Sequence, residues 1–196
     1  KVSRTKNRPI ASGKISVALG LFYATILCLL AFLVLINFNF FTILIALASM
    51  PMAFTYPLMK RFTYWPQLFL GITFNYGLIL GWSSISNEIS LIPVIFYFGA
   101  IFWTLGYDTI YGYQDIKDDE IIGLKSTSIK FKSNPYMFLN LCYLIFAVTL
   151  FVVGYLMKLD NFYFLFWAII IFQMFYFQVY KLNYKIPSSC LGAFKS

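Results

Sequence analysis

Between residues 107 and 120 the chain reads YDTIYGYQDIKDDE, directly after the apolar run IPVIFYFGAIFWTLG at 92–106. Carboxylates beside hydrocarbon are costly, so their spacing asks for a chemical reason. Asp108, Tyr111, Asp115 and Asp119 stand 3, 4 and 4 residues apart. On a helix of 3.6 residues per turn they share one face, stacked over about 16 Å of axis. Asp115 and Asp119 form a DxxxD pair whose oxygens converge one turn apart, which suits a hard divalent cation such as Mg²⁺. Asp118 and Glu120 fall off that face and read as solvated loop residues balanced by Lys117 and Lys125. Asp108, still near membrane depth, reads as functional, because intramembrane ionisable residues face cavities or sites.

A second cluster is TYPLMKRFTYWPQ at 55–67. Tyr56 and Lys60 lie one turn apart on one face, with Arg61 beside them. Basic residues at a helix end are usually snorkelling anchors, but anchoring does not explain the shared face. A cation beside an acidic, metal-ready helix makes sense if a polyphosphate is held between them. RTKNRPIASG (4–13) adds Arg4 and Arg8, although topology alone accounts for its charge. Gln67, Gly71, Phe74 and Asn75 line one face of a further span, where a buried Asn is most often interhelical glue.

The elements that position these residues follow from composition. Of 196 residues, 61% are hydrophobic and only 11% charged, with a mean hydropathy of +0.77. Soluble domains carry about 25% charged residues, so the chain is read as an integral, all-α membrane protein. Six stretches match the roughly 20 residues a spanning helix needs, at about 17–36, 40–59, 66–86, 91–113, 136–157 and 161–180. Pro66 suits a first helical turn, and Pro51 is expected to kink its span. Fourteen of the 15 basic residues fall on one side, and the other side carries only Lys158. By the positive-inside rule the rich side, with every charged cluster, is cytoplasmic. Histidine is absent, which excludes a Ser-His-Asp triad and histidine-ligated zinc. Cys28, Cys142 and Cys190 are widely spaced with no CxxC or disulfide framework, and the two within apolar runs, Cys28 and Cys142, read as free buried thiols.

Together, RTKNRPIASG, TYPLMKRFTYWPQLFLGITFNYG and YDTIYGYQDIKDDEIIGLKS resemble the UbiA superfamily of intramembrane aromatic prenyltransferases, nearest to its 4-hydroxybenzoate polyprenyltransferase branch. The family pattern YxxxK falls on Tyr56 and Lys60, and DxxYxxxDxxxD falls on Asp108, Tyr111, Asp115 and Asp119. SSCLGAFKS (188–196) resembles the stretch before the last family helix. The family's first aspartate motif would lie just upstream of residue 4. The resemblance therefore implies one transmembrane domain over 1–196, incomplete at both ends and inactive as it stands, whose spans correspond to helices 3–8 of nine.

The resemblance further implies Mg²⁺-dependent transfer of a polyprenyl group from an allylic diphosphate to 4-hydroxybenzoate, ortho to its hydroxyl, in ubiquinone biosynthesis. Asp115 and Asp119 would hold metal, while Arg4, Arg8, Lys60, Arg61 and Lys125 would hold diphosphate. Asp108, Tyr111, Tyr56 and Lys60 would be catalytic, and Asn75 and Gln67 would meet the aromatic ring. The partners are then the two substrates and the lipid bilayer, with no nucleic acid. The bacterial inner (plasma) membrane is the expected location, and the mitochondrial inner membrane the alternative. Sister branches with other aromatic acceptors remain open. A transporter would carry its charges at the midplane on inverted repeats. A CDP-alcohol phosphotransferase would need a DG-containing acidic motif, and a membrane scaffold would not respond to Mg²⁺ and donor.

Overall fold

A computed structural model describes residues 7–196, and every regular element among them is helical. Six helices are long and apolar enough to cross a bilayer: Val17–Leu35, Phe40–Phe62, Pro66–Ser86, Leu91–Ile122, Pro135–Leu156 and Asn161–Tyr180. They match the expected spans, except that the fourth runs on well past residue 113. The protein is a multi-pass transmembrane bundle.

Several spans are built from shorter pieces. α1 (Val17–Leu35) begins where the Ser16 hydroxyl accepts the Leu19 N–H at 3.2 Å, and it buries no residue. The second span is α2 (Phe40–Thr55), a 3₁₀ turn at Tyr56–Leu58 and α3 (Met59–Phe62). Pro57 has no N–H to continue the α ladder, which accounts for the tighter turn. The third span breaks at Tyr76 into α4 (Pro66–Asn75) and α5 (Gly77–Ser86). Carbonyls of the last α4 turn are met by side chains instead, Gly71 by Asn75 Nδ2 at 2.8 Å and Ile72 by the Tyr97 hydroxyl at 2.6 Å. This is how a helix end avoids orphaned acceptors.

α6 (Leu91–Gly112) passes through a 3₁₀ turn at Tyr113–Asp115 into α7 (Ile116–Ile122), and α8 (Thr127–Lys130) is a single turn in the loop that follows. α9 (Pro135–Leu156) lies against α6 along the centre of the bundle. Small residues permit that approach, as bilayer helices require. A Cβ at Gly106 would stand 2.5 Å from Tyr143 Cε1, and one at Gly99 would collide with Thr149. Leu105, Ile110, Leu139 and Tyr143 form the middle of the core.

α10 (Asn161–Gln173) continues as a π-helix, Met174–Tyr180. The tail, expected to precede a helix, is itself helical as α11 (Pro187–Lys195), with Cys190 and Ala193 in the core. Burial pushes the Cys190 thiol up from its ordinary pKa, which makes it inert. Cys142 is likewise free and buried, but Cys28, expected buried, lies exposed on α1.

Candidate functional site

At the basic end of the bundle, Tyr56, Pro57, Lys60, Pro66, Gln67, Leu70 and Asp108 line one small cavity of about 60 Å³. The 3₁₀ turn and α3 keep Tyr56 and Lys60 on one wall, and α6 sets Asp108 across from them. The Asp108 carboxylate is half-buried there, and the Lys60 side chain is exposed.

A loop is locked onto this cavity. Gly123, at φ +77°, takes the left-handed conformation that ends α7, and the Leu124 N–H reaches back to the Asp119 carbonyl at 2.8 Å. The chain then turns so that the Lys125 N–H donates to the Lys60 carbonyl at 2.8 Å. Lys125 Nζ lies 3.3 Å from the Phe62 carbonyl and 5.6 Å from the Tyr64 ring centre. α8 pins the loop from beneath. Gln67 Oε1 accepts the Thr127 N–H at 3.0 Å, the Thr127 and Thr109 hydroxyls meet at 2.6 Å, and Ser128 donates to the Thr109 carbonyl at 2.8 Å. A Cβ at Gly112 would collide with Ser128 Oγ, so only glycine lets α8 this close. Ser126, Thr127 and Ser128 are fully buried, which their hydrogen bonds make tolerable. Sequence reasoning missed this clamp; the run STS beside an apolar helix was its only signal.

The acidic stretch is helix through Ile122 rather than loop. The 3₁₀ turn advances by about 120° per residue instead of 100°, so over its three residues it turns Asp115 and Asp119 by roughly 60° relative to Asp108 and Tyr111. Asp115 sits half-buried at the junction, and Asp119 is the one buried residue of α7, at 4% exposure. Glu120 points outward as expected, but its partner is Lys132 at 2.6 Å, not Lys117 or Lys125. Among the described residues no three metal-ligating side chains converge.

Aromatic rings floor the site. Phe194 of α11 packs on Tyr107 and Tyr111 with ring centres 5.7 and 4.6 Å apart, and Trp103 meets Tyr107 at 4.9 Å. The remaining candidates divide. Arg61 is exposed on α3, and Arg8 lines a different cavity, against the start of α1. Arg4 lies outside the described residues. Asn75 Nδ2 also reaches the Ala100 carbonyl at 3.1 Å and Thr104 Oγ1 at 2.7 Å, so this amide staples α4 to α6.

The UbiA prenyltransferase family matches residues 1–195. The chain is 47% identical over 141 residues to the mitochondrial 4-hydroxybenzoate polyprenyltransferase of Rattus norvegicus, covering 71% of this chain and 38% of that protein. It is 37% identical to 4-hydroxybenzoate geranyltransferase 2 of Lithospermum erythrorhizon, covering 100% of this chain and 64% of the relative. The human mitochondrial 4-hydroxybenzoate polyprenyltransferase is 46% identical over 141 residues, or 71% of this chain and 38% of its own length. The chain thus spans between 38% and 64% of these relatives. No solved structure matches it significantly. With the family matched along nearly its whole length, the chain belongs to the UbiA prenyltransferases.

Proposed function

We propose that the protein of which this chain is part transfers a polyprenyl group from an allylic polyprenyl diphosphate to 4-hydroxybenzoate, ortho to the hydroxyl, in ubiquinone biosynthesis. The observation that carries this reading is the meeting of Tyr56, Lys60 and Asp108 in one cavity at the basic membrane end. Relatives named for 4-hydroxybenzoate prenyl transfer support the choice of acceptor.

Lys60 and Lys125, tied together through the backbone, neutralise the diphosphate as the C1–O bond breaks and its electron pair leaves with the phosphate. Tyr56 borders the same cavity and orients the leaving group. Tyr107, Tyr111 and Phe194 present ring faces to the allylic cation and keep water from it. A ring carbon ortho to the hydroxyl then bonds to C1, and its proton leaves to restore aromaticity. Asp108 orients or deprotonates the phenol.

The donor set fits a metal. Asp115 and Asp119 would offer it oxygen ligands one turn apart, and Mg²⁺ is typically held by one or two carboxylates with substrate phosphate. Bound there, it would supply further charge neutralisation at the diphosphate. Relatives with mitochondrial names favour the mitochondrial inner membrane over the bacterial inner membrane.

The test is an in-membrane assay of the complete protein with 4-hydroxybenzoate, a polyprenyl diphosphate and Mg²⁺, with and without a chelator. Prenylated 4-hydroxybenzoate that disappears on chelation is the expected result. Transfer only to another aromatic acceptor would assign a sister branch, and no transfer at all would sink the reading.

A further inference from the structure

Beneath Phe194 lies a second cavity, of about 410 Å³, whose wall combines rings with side-chain amides: Trp103, Phe146 and Phe194 with Asn75, Gln173 and Gln178. It adjoins the site, because Trp103 and Phe194 both pack on Tyr107. Two of its amides already have work for their N–H groups. Asn75 Nδ2 staples α4 to α6, and Gln173 Nε2 donates to the Ser196 carbonyl.

Gln178 differs. Its Oε1 accepts the hydroxyl of Tyr143 at 2.6 Å, and Tyr143 is fully buried. That bond fixes the amide with its oxygen toward the core. Among the described residues its Nε2 makes no hydrogen bond, leaving both N–H donors to the cavity it lines. A buried Tyr–Gln pair is a high-stakes arrangement that one polar partner more would complete. Gln178 also sits in the π-helix at the end of α10, and π-turns recur at functional sites.

We propose that this cavity receives the aromatic acceptor, and that Gln178, oriented by Tyr143, donates its amide N–H groups to the carboxyl group para to the reacting hydroxyl. The ring lies among Trp103, Phe146 and Phe194, which leaves the hydroxyl end toward Tyr107 and Asp108. Gln67, expected to meet the ring, instead braces α8, and Asn75 borders the cavity as a staple. The assignment rests on the prenyl transfer proposed above.

Steady-state kinetics of the complete protein in membranes, with 4-hydroxybenzoate and a polyprenyl diphosphate varied in turn, tests it. Gln178→Leu is expected to raise the KM for 4-hydroxybenzoate roughly tenfold or more, with the donor KM unchanged, as for a lost charge-assisted bond. Gln178→Glu still accepts from Tyr143, so a purely structural role survives. Binding of a carboxylate acceptor is then worse than with Leu, while a phenol lacking the carboxyl group is unaffected. Tyr143→Phe moves the same KM by a smaller factor. Wild-type transfer combined with an acceptor KM that is unchanged in Gln178→Leu, or with Gln178→Glu behaving as wild type, overturns this assignment alone. Absence of wild-type transfer overturns the parent reading and this one with it.

Discussion

Asp119 and Glu120 are neighbours in sequence and opposites in environment. Asp119 is 4% exposed and turned into the bundle, whereas Glu120 faces outward in an ion pair with Lys132 at 2.6 Å. One residue of helix is about 100° of rotation, enough to separate a carboxylate the fold must hold at some cost from one that water would hold anyway. Acidic content alone therefore says little about which carboxylates the fold encloses. The helical face says most of it.

The sharpest test of that contrast is to neutralise each acid in turn in the complete protein. Asp119→Asn, and equally Asp115→Asn, is expected to bring prenyl transfer to background while membrane insertion and thermal unfolding stay near wild type. Asp118→Ala is expected to be mild. Equal losses from Asp119→Asn and Asp118→Ala would break the comparison.

The basic partners divide in the same way. Lys60 lines the cavity, whereas Lys132 pairs with Glu120. Lys60→Ala is expected to weaken donor use by roughly tenfold or more, the scale of a lost charge-assisted bond, while Lys132→Ala leaves the donor KM within a factor of two. Kinetics with varied polyprenyl diphosphate read the difference, and similar values for the two would reduce Lys60 to an anchor.

A smaller effect is expected from the clamp. Thr127→Val removes one buried hydroxyl contact with Thr109 but keeps the N–H bond to Gln67. It is expected to cost about 0.5–1.5 kcal/mol in stability and to raise the donor KM a few-fold, because the loop carrying Lys125 loosens. Unchanged unfolding and kinetics would show that α8 does not position Lys125.

The smallest effect belongs to Glu120→Gln. Exposed pairs contribute about 0–1 kcal/mol, so unfolding is expected to shift by less than that, with any shift fading at high salt. A loss of activity here would mean that the outward face of α7 also matters.

The sequence was most readable where one-dimensional signals are strong. Apolar runs located all six spans, and the 3–4–4 spacing singled out Asp108, Tyr111, Asp115 and Asp119. It was silent where the third dimension decides. Gly77 is a weak local sign of the break at Tyr76, which is stabilised by Tyr97 from another span. Thr127 and Ser128 look like ordinary loop residues until Gly112 of α6 makes room for them. Composition also misled on Cys28: α1 is apolar all round and buries none of its residues, since lipid accepts leucine as readily as a protein core does.

The π-helix at Met174–Tyr180 sets where the end of α10 points its side chains, because its i→i+5 bonds make each turn wider and each residue's rotation smaller than in an α-helix. At the α-helical step of about 100° per residue, the same residues would drift progressively out of their present directions. Gln178 would leave Tyr143, and Val179 would leave the core it now helps to fill. Substitutions that restore α geometry here are therefore expected to unseat Gln178 and Val179 together.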